Sequence, residues 1–361
     1  MRVLQLAKRS VTLLATVSVA LTGCGDSGPD VPFNPTGTSA DLEAVNAAFS
    51  SSTFASFSSL STLFYGAYPA PLVASSVAAM DIRPKSLAGR QAAAIRSAKR
   101  LAALLPAAAN KSFSASSAAI PPEIAGKTYA YSGGTYVPTD RTGAPVNGVR
   151  FLLYAVDPVT FTPVEPLVET GYVDITDLSG SSTQAARVQV VSGTTTYLDY
   201  TVTANSLTGS ITLVGFVTDG TNRANLNLRT TVTSTGVTLV YSLDVPQRDV
   251  SIDLNLTAND LVGEGGTVGI SLSMSGPNGT VSMTGQFTVN GATLTVRTGG
   301  RTFATITATG GAEPVITGAD GLPITDEDAA ALQSIFELTS EAFISFDQMT
   351  APVTFFLEPA V

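Results

Sequence analysis

From Lys127 to about Thr305 the chain alternates apolar and polar positions with a period of two. Val149 to Val156 and Gly171 to Ile175 read as strands, and the alternation is then sustained. Val188/Val190, Leu198/Tyr200/Val202, Ile211/Leu213, Leu226/Leu228/Val232 and Val237/Leu239/Tyr241/Leu243 are apolar. So are Val250/Ile252/Leu254/Leu256, Val268/Ile270/Leu272/Met274, Val281/Met283/Phe287/Val289, Leu294/Val296 and Phe303. Thr, Ser, Asn, Gln, Arg and Asp fill the positions between. A strand with one dry and one wet side belongs in an antiparallel sheet. Asp219-Gly220, Pro277-Asn278-Gly279, Asn290-Gly291 and Gly299-Gly300 supply residues that accept the positive φ of tight hairpin turns. Strand starts recur about every 12–14 residues, close to the spacing of an up-and-down all-β domain. The pattern predicts an α+β chain, mostly β: a long antiparallel meander, forming a curved sheet or half-barrel, over residues 127–361.

The flanks switch to helical spacing. Leu42, Val45 and Phe49, then Phe54, Phe57, Leu60 and Phe64, fall on one side of a helix, and Ser50-Ser51-Ser52 is the expected break. Within this helical segment, residues 39–105, a second candidate runs from Ser86 to Leu105 with Arg90, Arg96, Lys99 and Arg100 opposite its apolar side. That basic face is a candidate membrane-surface contact, or a solvated face, or a dock for the acidic body. Residues 106–126, low in complexity and broken by prolines, read as a linker. After the meander, Thr325 and Asp328 have capping-box spacing, and Asp326, Glu327 and Asp328 suit a helix N-terminus. Leu332, Ile335, Phe336, Phe343 and Phe346 line an amphipathic helix over 326–348 that needs the dry face of the sheet as its partner. Val353 to Leu357 reads as a final strand.

The first 23 residues have a different logic. Met1-Arg2 and Lys8-Arg9 make a positive start, Val11 to Leu21 is a short apolar run, and Leu21-Thr22-Gly23-Cys24 ends it with the chain's sole cysteine. The run is too short and too interrupted, at Thr12, Thr16 and Ser18, for a spanning helix of ~20 apolar residues. It resembles the signal peptide and lipobox of bacterial lipoproteins. That resemblance implies cleavage between Gly23 and Cys24, a diacylglyceryl thioether on Cys24, and a further acyl chain at the new N-terminus. Two chains suffice for stable anchoring at about 0.8 kcal/mol per buried CH₂. Residues 24–38, rich in glycine and proline, read as a flexible tether. Gly25, rather than an aspartate, resembles outer-membrane sorting signals, which implies an exported, lipid-anchored envelope protein on the periplasmic or outer surface.

Charge and composition narrow the chemistry. Net charge is −9, and loss of Arg2, Lys8 and Arg9 with the signal takes it to −12. No lysine follows Lys127, so the body is a poor match for nucleic acid. The absence of histidine excludes Ser-His-Asp and Cys-His nucleophilic sites and the histidine-containing zinc and iron sites. Gly263 to Gly269 has Val268 where a nucleotide loop needs its third glycine, and reads as a turn. Asp199, Asp244, Asp249, Asp253, Asp260 and Glu264 are candidates for paired-carboxylate chemistry, though without tryptophan to stack on a sugar. Asp219-Gly220-Thr221-Asn222 and Asp320-Gly321 offer oxygen ligands for calcium but are also ordinary turn sequences. No catalytic residue, metal or cofactor is expected.

Three functions are compatible with this reading. The first is a structural or protein-interaction lipoprotein whose helices plug the sheet. The second is a carrier whose sheet–helix cavity holds a lipid or another apolar ligand. The order of helix, meander and helix over residues 39–361 resembles half-barrel lipoprotein and lipid carriers, in element order alone. The third, a transmembrane barrel, lacks the aromatic girdles such strands carry.

Overall fold

The computed structural model describes residues 33–64, 119–335 with short gaps, 348–349 and 352–353. The gaps fall at 158–159, 161, 181–182, 206–207, 233–235, 260–266, 289–290, 310–314 and 333. Two helices come first, α1 (Pro35–Phe49) and α2 (Ser52–Phe64). The sheet opens with β1 (Lys127–Ser132), β2 (Thr135–Thr139), β3 (Gly148–Tyr154), β4 (Glu169–Asp177) and β5 (Gln184–Ser192). It continues through β6 (Thr195–Asn205), β7 (Ser210–Thr218), β8 (Arg223–Val232), β9 (Gly236–Val245) and β10 (Val250–Asn259). It ends with β11 (Thr267–Gly276), β12 (Gly279–Thr288), β13 (Gly291–Thr298), β14 (Arg301–Thr309) and β15 (Val315–Gly318). A third helix, α3, occupies 326–332 and 334–335.

From β3 to β15 every strand pairs antiparallel with the next, so the meander expected from the alternation is present over thirteen consecutive strands. The sheet is curved and open, with β2 at one edge and β15 at the other. Its first turn departs from the expected pattern. β1 lies parallel to β3, with β2 folded back outside it, so the sheet is mixed rather than purely antiparallel. Residues 140–147 carry the chain from the outer strand β2 past β1 to β3, which is what lets β1 and β3 run the same way. The edge strand β2 carries Pro138, tolerated there because an edge residue can dispense with a ladder N–H.

Fourteen strand spacings at about 4.8 Å make a dry face roughly 65 Å wide, far more than one helix covers. The helices therefore run across the strands. α1 starts at the β11–β12 turn and touches β7 and β8. Its length of about 22 Å matches four or five strand spacings. α2 carries on over β6, β5, β4, β3 and β2. The serine break separates them as expected: Ser50 is the C-cap of α1, and Ser51 Oγ accepts from the Phe54 N–H at 3.2 Å. Leu332 and Ile335 of α3 join the same core, as do Met349 and Val353.

Three local expectations need correction. The tether does not extend to residue 38, because α1 begins at Pro35. Asn34 is its N-cap, accepting from the Gly37 N–H at 3.1 Å, and proline at the first helical position loses no needed donor. The linker does not extend to residue 126 as an unpacked stretch: Ala119 and Ile120 are core, and Ile120 N–H donates to Asp177. Val353 does not begin a strand. It is helical together with Pro352 and packs into the core with Met349 four residues earlier, a helical spacing. The candidate helix over 86–105, with Arg90, Arg96, Lys99 and Arg100, lies outside the described residues, as do residues 1–32 with Gly23 and Cys24.

Candidate functional site

A carrier requires space between helices and sheet. Phe54, Phe57 and Leu60 of α2 are buried on the dry face, Phe57 and Leu60 completely. The Phe57 ring stands edge-on to Tyr200 of β6 at 6.5 Å between centroids and packs against Phe54 at 6.1 Å. Phe54 and Phe57 meet Val190, Tyr197, Leu198 and Val217 around a depression of about 160 Å³, mouth included, nowhere wide enough for a water molecule. Phe54, Phe57 and Leu60 are thus core, and the side chain of Phe64 lies outside the described residues. An acyl chain has no room at this point of the seam.

Tyr200 also ties the two flanks of the chain together. Its phenol, fully buried, donates to the carbonyl of Met349, and burial pushes its pKa well above 10. Phe57 on one side and Met349 on the other place the N-terminal and C-terminal segments on the same β-strand. Burial likewise raises the phenol of Tyr241, farther along the dry face, and that of Tyr136, which donates to the Leu152 carbonyl at 2.8 Å.

The second distinctive feature is where α1 begins. Asn34 N–H donates to the Asn278 carbonyl at 3.0 Å, and Asn34 Nδ2 donates to Asn278 Oδ1 at 3.1 Å. Asn278 Nδ2 in turn donates to Asp41 Oδ2 at 2.7 Å, and Asp41 is only 5% exposed. A Cβ on Gly37 would fall 2.2 Å from Asn278 Oδ1, so glycine leaves the space into which the amide fits. Phe33 adds an edge-on contact with Phe303 of β14 at 5.7 Å. One turn residue, Asn278, therefore clasps both the N-cap and the buried acid of α1. Sequence reading found the turn but not its partner, since the asparagine that marks a tight turn gives no sign of a contact 244 residues away. The Asn-Pro start of α1 was the one local signal.

Asn278→Ala is expected to leave the Asp41 carboxylate buried without this donor and to cost about 1–3 kcal/mol of stability. Urea unfolding measures the loss, and hydrogen exchange places it in the first turns of α1.

The wet face carries ordered ion pairs. Arg150 holds Asp174 through two bonds of 2.7 Å and lies over the Tyr172 ring, its cationic carbon 3.7 Å from the centroid. Arg187 holds Asp199 through bonds of 2.8 and 2.7 Å, and Gln189 adds a third at 3.2 Å. Asp199, one of the candidate carboxylates, is thus brought together with a guanidinium rather than with a second acid. Asp244 accepts from Asn225, Asp249 closes the β9–β10 turn in the left-handed region at φ 53, and Asp253 is exposed on β10. Asp260 and Glu264 lie outside the described residues, as do residues 263–266 of the glycine-rich loop; Thr267 opens β11, the strand expected after it.

The Asp219 turn is equally committed. Its Oδ1 accepts from the Thr221 and Asn222 N–H groups, each at 2.7 Å, and Oδ2 accepts from Asn222 Nδ2 at 3.2 Å. Burial acts to raise this carboxyl's pKa, yet those donors outweigh it and hold the group below its usual range. Asp320 Oδ1 accepts from the Leu322 N–H at 3.0 Å, an Asx-type turn. At the start of α3, Asp328 N–H donates to Thr325 Oγ1 at 3.2 Å, so Thr325 caps the helix as expected. The acid departs from the usual box by accepting from the Thr325 hydroxyl at 2.6 Å.

Comparison with known proteins gives no family model that matches the chain, no similar curated protein and no similar solved structure.

Proposed function

We propose that this chain is an exported envelope lipoprotein, fixed to a membrane through a diacylglyceryl thioether on Cys24, and that its body serves a structural or protein-docking role. The observation that supports the second half is the filled contact between the described part of α2 and β6, where interlocked Phe57, Phe54 and Tyr200 stand where a carrier needs room for its cargo. The first half is supported by the order of charged start, apolar run and Leu21-Thr22-Gly23-Cys24. No helix among the described residues is long and apolar enough to cross a membrane, so attachment through lipid is the reading the lipobox favours. The outward face, with guanidinium–carboxylate pairs over β3–β6 and threonine and serine toward β15, is then the surface offered to an envelope partner.

Metabolic labelling with palmitate, followed by membrane fractionation, tests the anchor. The parent chain is expected to take label and sediment with membranes; Cys24→Ala is expected to lose the label and become soluble. An unlabelled parent, or a Cys24→Ala variant that still sediments as the parent does, overturns the reading. Native mass spectrometry tests the filled body, and a lipid that co-purifies repeatedly with the Cys24→Ala variant would restore the carrier.

A further inference from the structure

We infer that the body stands on the membrane by one end of its sheet: the end bearing the β7–β8, β9–β10, β11–β12 and β13–β14 turns. This rests on the anchor reading above and adds an orientation to it. The chain between the lipid and the body is short, and the place where it meets the body is fixed. Phe33 is packed on Phe303, and Asn34 is bonded to Asn278 at the tip of the β11–β12 hairpin.

Nine peptide steps separate Cys24 from Phe33. A chain of that length reaches about 30 Å when fully extended, and a random coil of that length averages only about 15–18 Å. The central strands, of ten residues each, are about 33 Å long. Turns at the opposite end, such as the one at Thr208 and Gly209, therefore stand farther from the attachment point than the relaxed tether is long. Bringing them to the headgroups requires the sheet to lie flat with the tether pulled taut, at a cost in chain entropy. With the tether relaxed, the Asn278 end is nearest the bilayer.

The charge at this end does not set the orientation. Arg248, Arg297 and Arg301 are exposed there, but Asp219, Asp249 and Asp320 stand among them. Attraction to anionic lipid is nearly balanced by repulsion, and the covalent connection decides. Orientation should therefore persist in high salt, unlike binding through a basic patch.

The chain has no tryptophan, so single-tryptophan variants report position without background. Thr280 at the start of β12 and Thr309 at the end of β14 are both exposed on the wet face, at opposite ends of the sheet. Lipidated Thr280→Trp and Thr309→Trp would be purified from membranes and placed in vesicles carrying a dansyl-labelled headgroup. Energy transfer from Thr280→Trp is expected to exceed that from Thr309→Trp several-fold, in low and high salt alike. Equal transfer from the two positions, or stronger transfer from Thr309→Trp, in protein that carries its lipid overturns the orientation and leaves the anchor standing. Protein without lipid on Cys24 overturns both. Hydrogen exchange on the unmodified lipoprotein supplies a second measure. Vesicle binding is expected to protect the amides of residues 278–279 and 299–301, and protection at 208–210 instead overturns the orientation.

Discussion

Phe57→Ala is expected to destabilise the body by about 3–5 kcal/mol, the range for removing a fully buried aromatic side chain. Phe57 has no exposed surface, and its ring touches Phe54 within α2 and Tyr200 across the seam. The substitution removes the transfer energy of the ring and also leaves a void. The surrounding groups are poorly placed to fill it, because Tyr200 is held by its bond to the Met349 carbonyl and cannot swing toward α2 without breaking it. Phe49, only partly buried and in contact with Phe54, provides the contrast: Phe49→Ala keeps the helix–sheet seam and is expected to cost clearly less. Urea unfolding of the mature chain compares the two. Equal midpoints for Phe57→Ala and the parent would mean that α2 is not held on the sheet by this side chain, and would reopen the seam as space for a ligand.

The strands were legible because their pattern is local. Each of Val237, Leu239, Tyr241 and Leu243 is dry, and each residue between them is wetter, so the period of two can be read without knowing any neighbour. The break between the first helices was legible for the same reason, with Ser50 to Ser52 offering the backbone local alternatives to helix. What stayed hidden depends on partners distant in sequence. Periodicity reports which side of Tyr129 and Phe151 is dry, but nothing in it states that β1 and β3 run parallel with these two rings stacked at 5.2 Å. Ala119 and Ile120 sit in a stretch whose alanines and serines resemble a linker, yet they pack because the folded sheet supplies a surface. Pro35 looks like any other proline of a glycine- and proline-rich stretch, and only Asn34 before it marks a helix start.

The clasp shows the same limit. Asn278 was recognised as a turn residue through its own chemistry, whereas its bonds to Asn34 and Asp41 follow from α1 lying across the strands. That crossing is itself a consequence of sheet width, since a helix running along the strands would leave most of the dry face in water. A broad sheet thus favours transverse helices, and α1 starts at a strand end, beside the β11–β12 turn.

The close approach of β6 and β7 beside Tyr200 gives the other large expected effect. Gly215 of β7 pairs with Tyr200, and a Cβ built on it would lie 2.1 Å from the Asp199 carbonyl oxygen and 2.4 Å from the Tyr200 Cα. Both are backbone atoms of a strand bonded on its other side to β5, so no side-chain rotation relieves the overlap. Gly215→Ala must push β6 and β7 apart or twist one of them. Either movement disturbs Tyr200, on which the Phe57 ring and the Met349 carbonyl both depend. The expected cost is about 3 kcal/mol or more, at the upper end of the overpacking range, although alanine is otherwise the smallest possible change. Gly300, in the β13–β14 turn, has open space around its missing Cβ but a φ of 76. Gly300→Ala is therefore strained only in its own backbone, and a cost of about 1–2 kcal/mol is expected. Paired urea titrations measure both, and a Gly215→Ala loss no greater than that of Gly300→Ala would show that β6 and β7 can separate at Tyr200 without cost to the packing around it.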